Sequence, residues 1–270
     1  MKLIKEYNIE LNYDLLFTAY SDEEYGGGNG TLAACLKYKC DDYLNLDCKN
    51  FEIWSSGVGG GEVMFEIKGL TPLDSCSDVI DGLVILKRKL LEFGKKREEE
   101  LMKEEHYKDT KIPQTAARFM EARAGNHGSD LNCGHIIMTF YTSKTEPEIM
   151  AEFETMRTEL DEELKSIGFR VSNIKMITRF FHFAQCDLDN YAMDTLIKSA
   201  REVSGRELTP CGACLSDLSL FIKYGSSKAF SFGIGRDFNE YGGAHQTDEF
   251  IECDNLLEFT KILAAFLLDY

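Results

Sequence analysis

The middle of the chain carries a rhythm that few folds can satisfy. Val63 to Lys68 is strand-like, and Ser77 to about His106 is a long helical stretch with apolar residues at Ile80, Leu83, Leu86, Leu90 and Phe93. Ala117 to Ala122 and His135 to Tyr141 are two strand-length runs joined by a Gly/Asn/Asp-rich loop. Glu148 to Ile167 is strongly amphipathic, with Ile149, Phe153, Met156, Leu160, Leu164 and Ile167 at helical spacing. Phe169 to Phe181 then returns as a strand. The order β-α-β-β-α-β predicts a ferredoxin-like unit, complete as a small domain by itself.

The flanks follow a different rhythm. Before the unit come an apolar run of strand length at Tyr13 to Tyr20, a helix at Gly30 to Lys39, and short strands at Tyr43 to Asp47 and Phe51 to Trp54. After it come a helix at Asn190 to Gly205, a short helix at Leu215 to Lys223 opened by Ser216-Asp217, a strand at Lys228 to Gly233 and a closing helix at Asn255 to Tyr270. Mostly apolar strands alternating with helices predict a mostly parallel sheet covered by helices. The chain is therefore expected to be α/β, with residues 1–61 and 183–270 as two parts of one domain and residues 62–182 inserted between them. The Lys95 to Glu105 charge run reads as a solvated helix end.

Charge narrows the function classes. Lys plus Arg is 30 against 46 Asp plus Glu, a formal net charge of −16. That balance argues against nucleic acid as the main partner and against docking on an anionic membrane. No apolar run approaches the roughly 20 residues that a spanning helix needs. The start, Met1-Lys-Leu-Ile-Lys-Glu6, has neither a long apolar region nor a small-residue cleavage site, so it does not read as a leader. Nine cysteines without paired spacing read as free thiols in a reducing cytoplasm. Cys211-Gly-Ala-Cys214 lacks the second pair that a structural zinc site needs.

Three places near the ends of expected strands could carry chemistry, which is where parallel α/β sheets put their sites. The first is Ser21-Asp22-Glu23-Glu24-Tyr25-Gly26-Gly27, in which one carboxylate can hold a metal while its neighbour acts as general base. The second is Asn45-Leu46-Asp47, a carboxylate just past a short strand. The third is Gly242-Gly-Ala-His245-Gln-Thr-Asp-Glu249, a histidine in a glycine-softened loop before the last helix. The glycine runs do not read as phosphate cradles, because no Gly-Lys-Ser/Thr follows them.

The order of these pieces around a ferredoxin-like insert resembles the aminoacylase/carboxypeptidase family of dinuclear zinc hydrolases. That family includes succinyl-diaminopimelate desuccinylase, acetylornithine deacetylase, peptidase T and glutamate carboxypeptidases. The resemblance covers essentially the whole chain and is most specific at Ser21–Gly27 and Ala244–Phe250. It implies a metallopeptidase or deacylase acting on a peptide or an N-acyl amino acid, a catalytic α/β domain, and an inserted lid through which two copies form a homodimer. Position by position, it implies that Glu23 is the general base, that Glu24 and His245 hold one zinc, and that Asp47 holds the other.

The sequence also departs from the family. The family's His-x-Asp motif and bridging aspartate would precede the Asp-Glu-Glu segment by a long way, yet no histidine occurs before His106. The resemblance therefore implies a chain lacking the family's N-terminal portion, with at most one weakly held zinc, an exposed apolar sheet edge and no turnover as it stands. The lid histidine expected after Ile67-Lys68-Gly69 is absent from Leu70-Thr-Pro-Leu-Asp74, leaving His127 and His135 as substitutes. Phe140-Tyr-Thr-Ser143 lacks the carboxylate-binding arginine of that strand. The alternative reading is a non-catalytic dimeric remnant that binds a peptide or a partner.

Overall fold

The computed structural model describes residues 2–24, 28–70, 78–126 and 130–270. Tyr25–Gly27 of the first acidic motif, Thr71–Asp74, Cys76 and His127 lie outside the described residues. The first elements are α1 (Lys2–Glu6), α2 (Asn29–Lys37), β1 (Leu44–Asn45) and β2 (Ile53–Gly57). Then come β3 (Gly59–Gly69), α3 (Val79–Leu101), β4 (Ala117–Asn126), β5 (Asp130–Thr142), α4 (Glu146–Lys165) and β6 (Phe169–Met176). The chain closes with β7 (Ala184–Gln185), α5 (Tyr191–Ser204), β8 (Pro210–Ala213), α6 (Leu218–Leu220), β9 (Phe230–Phe232) and α7 (Cys253–Asp269).

Strands β3 to β6 form one sheet in the order β4-β5-β3-β6, every neighbouring pair antiparallel. Its core is the apolar side of β3 and β5 packed on α3 and α4. Phe153 lies within 5.3 to 5.6 Å of the rings of Phe65, Phe93 and Phe140. Both helices start on local signals. Asp78 caps α3 in a reciprocal capping box with Asp81, and Thr145 with Glu148 does the same for α4.

The second sheet draws β1 and β2 from before this unit and β7, β8 and β9 from after it. It differs from the mostly parallel expectation. β1–β9 and β2–β8 are parallel, while β2–β9 and β2–β7 are antiparallel. The return from the insert delivers β7 as a two-residue strand against the end of β2, without the crossover helix that enforces parallel pairing. Helices α5 and α7 pack over this sheet through Leu196, Ala200, Ile262 and Phe266.

Three further expectations need correcting. Tyr13 to Tyr20 is not a strand. It runs irregularly and is tied by side chains, with Tyr13 Oη donating to Leu267 O at 2.7 Å and Tyr20 Oη to Asn45 Oδ1 at 2.8 Å. Leu16 and Phe17 on it are exposed. The Lys95–Glu105 run is not a simply solvated helix end, because Arg97 is 2 % exposed and Leu101 is buried. Arg97 is offset by Glu100 and Glu152, each at 3.0 Å. Finally, the strand expected to reach Phe181 ends at Met176, and the following residues cross from one sheet to the other.

One connection clasps the two sheets together. Between α3 and β4 the chain inserts Tyr107, fully buried, against β8. Tyr107 Oη donates to Ala213 O at 3.0 Å and accepts from Ser56 Oγ at 3.2 Å. A Cβ on Gly212 would come within 2.4 Å of the Tyr107 ring, so glycine is required there. Beside it, His106 Nδ1 lies 2.7 Å from Ser55 Oγ, and His106 O accepts from Gly212 N at 2.7 Å. Ser55 is wholly buried, which makes this pair a tether and not an accessible nucleophile.

Candidate functional site

The structure brings residues from four parts of the chain to one place. Glu23 and Glu24 lie in the irregular segment before α2, and Asp47 lies just after β1. Asp217 opens α6, and His245 lies in the loop between β9 and α7. The contact between the two ends of the chain is direct: Glu24 Oε2 is 3.0 Å from His245 Nε2. Both side chains face solvent, at 72 % and 63 % exposure, so in water this pair alone adds little stability. His245 adopts φ 64°, in the left-handed region.

Glu23 is more enclosed. Burial, then the charges of Asp47, Asp217 and Glu24, push its carboxyl up to about 7, against a smaller opposing pull from Arg179. Its proton is therefore exchangeable near neutral pH, which suits a group that must take a proton and give it back. Asp47 is also raised, by burial and then by Glu24 and Asp217, with His245 acting the other way.

Beneath these groups lies a polar floor. Asp217 is wholly buried; Oδ2 accepts from Thr31 Oγ1 at 2.5 Å and Oδ1 from Arg179 Nη2 at 2.6 Å. Arg179 comes from the segment returning from the insert, and its guanidinium lies 3.9 Å over the Phe181 ring. Its Nε is buried without a partner. A Cβ on Gly28 would sit 2.6 Å from Arg179 Nη2, and Gly28 itself has φ 61°, so the turn into α2 takes glycine on both counts. Tyr20, bonded to Asn45, closes the side toward β1, and Asn45 Nδ2 donates to Ser231 Oγ at 3.2 Å on β9.

Sequence reasoning singled out Glu23, Glu24, Asp47 and His245 but gave no role to Arg179 or Thr31. Nothing around Arg179 flags it locally, because it lay inside an expected strand. Asp217 opens α6 as expected, but its side chain makes no cap bond and binds Thr31 and Arg179. His135, offered as a substitute for a lid histidine, lies on β5 with Nε2 3.1 Å from Glu121, a pair on the insert's own sheet.

Glu24 and His245 are of ligand type and in contact, but among the described residues no three His, Cys, Asp or Glu are grouped so as to hold a metal ion. Asp47, which the family resemblance puts on the other metal, lies close enough to feel the charges of both Glu24 and His245. Among the described residues no helix is long and apolar enough to cross a membrane.

Comparison with known proteins gives the same outline. No curated protein matches the chain by sequence. Among solved structures, aminopeptidase PepT from Bacillus cereus superposes with a TM-score of 0.66 at 13 % identity, covering 99 % of this chain and 67 % of its own. Human carnosine dipeptidase 1 gives 0.67 at 14 %, covering 99 % and 69 %. The YxeP protein of Bacillus subtilis, named a dinuclear metal-binding peptidase, gives 0.58 at 14 %, covering 98 % and 67 %. The chain thus spans about two thirds of the length of each. At such identities these likenesses speak for the fold, and the sequence profile of the peptidase family M20/M25/M40 matches residues 1–269, so the chain belongs to that family.

Proposed function

We propose that this site hydrolyses the amide bond of a short peptide, with Glu23 as the group that takes a proton from the attacking water and returns it to the leaving amine. The observation that carries the reading is the convergence of Glu23, Glu24, Asp47 and Asp217 with His245, joined by the Glu24–His245 contact. Family membership supports it, as do the peptidase names of the structural neighbours. Burial and the neighbouring carboxylates Asp47, Asp217 and Glu24 all favour the protonated form of Glu23, and Arg179 opposes them only weakly. An N-acyl amino acid offers the same amide and is the second substrate class to assay. Zinc enters no step here, since the described residues do not form its ligand set.

The reading extends to organisation. Residues 1–61 and 183–270 form the catalytic part and residues 62–182 the lid. A second copy docks on the lid, where Ile80, Val84 and Leu91 lie exposed along α3. A cytoplasmic location is proposed from the unpaired spacing of the nine cysteines.

The test is a turnover assay of the full chain on dipeptides and on N-acetyl and N-succinyl amino acids, with and without added zinc. Turnover that is abolished in Glu23→Gln supports the reading. A second reading, peptide binding without turnover, is favoured by one observation: Glu24 and His245 bind each other and gather no third ligand among the described residues. Peptide binding by calorimetry, with no hydrolysis under any condition, would establish that reading instead.

A further inference from the structure

We infer that Gln246 is a positioning residue, which holds His245 in register with Glu24. The inference rests on the reading above in taking that pair as part of the working site.

The left-handed backbone of His245, at φ 64°, is one that a non-glycine residue adopts only when its surroundings impose it. The neighbouring side chain supplies that constraint. Gln246 Nε2 donates to Phe238 O at 2.9 Å and to Glu240 O at 2.7 Å. Gln246 Oε1 accepts from Gly242 N at 3.0 Å. One amide thus satisfies three backbone groups spread over the loop that precedes it. Two of those groups are acceptors and one is a donor, so the site calls for an amide, and a carboxylate of the same length would face two carbonyl oxygens.

The rest of the loop is anchored independently. Arg236 pairs with Glu252 across its base, and Lys49 pairs with Asp237 beneath it. Glu249 Oε2 accepts from His245 N at 3.2 Å. The Phe238 ring meets the His245 ring edge-on at 5.2 Å, so the carbonyl that Gln246 grips belongs to the residue packing against the histidine. Removing the Gln246 amide leaves the ends of the loop fixed and His245 held only by its N–H to Glu249 and by the Phe238 ring, whose own carbonyl is then released. A misplaced working group is costly to a reaction even when binding persists.

The experiment compares wild type with Gln246→Ala and Gln246→Glu in the full chain. The His245 ring signals are followed by NMR, each with and without Glu24→Gln. In wild type, Glu24→Gln moves the His245 ring signals. In both Gln246 variants those signals shift and no longer respond to Glu24→Gln, while the signals of β3 to β6 stay in place. On a dipeptide that wild type hydrolyses, kcat falls about tenfold with KM within a factor of two. His245 signals that still respond to Glu24→Gln in Gln246→Ala would overturn the inference. A wild type without turnover would count against the hydrolase reading alone, because the NMR comparison decides the role of Gln246 without activity.

Discussion

The two sheets are built by different means. In the four-stranded sheet, geometry is stored in long regular elements: β3 and β5 run 11 and 13 residues, and α3 and α4 run 23 and 20. Its core is a cluster of aromatic and aliphatic side chains. The sheet that carries the site has strands of two to five residues. There, position is stored in single side-chain bonds between distant parts of the chain, such as Thr31 to Asp217 and Tyr20 to Asn45. Loss of packing should weaken the first region in proportion to the volume removed. In the second, loss of one polar partner should matter nearly as much as loss of a ring.

The largest effect is expected in the packed region. Phe153→Ala, at a wholly buried position among three rings, should cost about 4 kcal/mol in chemical denaturation. A cost below about 1 kcal/mol would mean that this core is loosely packed and that the contrast is false. Next comes Arg179→Met, which leaves the buried Asp217 carboxylate with Thr31 alone and should cost about 3 kcal/mol. Adding Asp217→Asn should recover part of that loss, and a double variant as unstable as the single would break the comparison from the other side.

A smaller, pH-dependent effect sharpens the account of the site. Glu23 is raised from its ordinary 4.5 to about 7, so the folded state keeps a proton that the unfolded chain has released. The stability from this group is complete below about pH 4.5 and is lost as the pH rises through 7. Glu23→Gln should therefore gain on wild type between those values, by about 1–2 kcal/mol once solvent screening at the half-exposed carboxyl is allowed for. Melting curves at pH 4 to 8 would check it, and a constant difference across that range would remove the proton from the argument. The smallest effect is at the helix start: Asp78→Ala deletes the α3 cap and should cost about 1 kcal/mol, read as a lower melting temperature.

This contrast explains what could be read from the sequence. The elements of the inserted sheet follow from periodicities confined to short windows. Ile149, Phe153, Met156, Leu160 and Leu164 mark the buried face of α4 before any partner is known. The pairings of the other sheet depend on residues far apart in sequence. Tyr13 to Tyr20 has the composition of a strand, but a strand also needs a neighbour, and the structure pairs none with it. Glu23, Glu24, Asp47 and His245 stood out because the order of their motifs along the chain resembles a known family, each motif being weak by itself. Arg179 did not, because its role depends on a salt bridge to Asp217 that no local pattern announces. Nor could Arg97 be told from its solvated neighbours, since its burial depends on Glu152 from another helix.

The Tyr107 clasp has a consequence for how the chain assembles during synthesis. Residues 59 to 176 contain every strand and helix of the inserted sheet, so that unit can fold as soon as it has been made. The partners of Tyr107 on the other sheet are Ser56, already made, and Gly212 and Ala213, still to come. The insert therefore presents a finished phenol ring to a sheet that is half complete. β8 then has a template on one side from β2 and on its face from Tyr107, which fixes its register when it arrives. On this order of synthesis the four-stranded sheet serves as an assembly jig for the sheet that β1 and β2 begin.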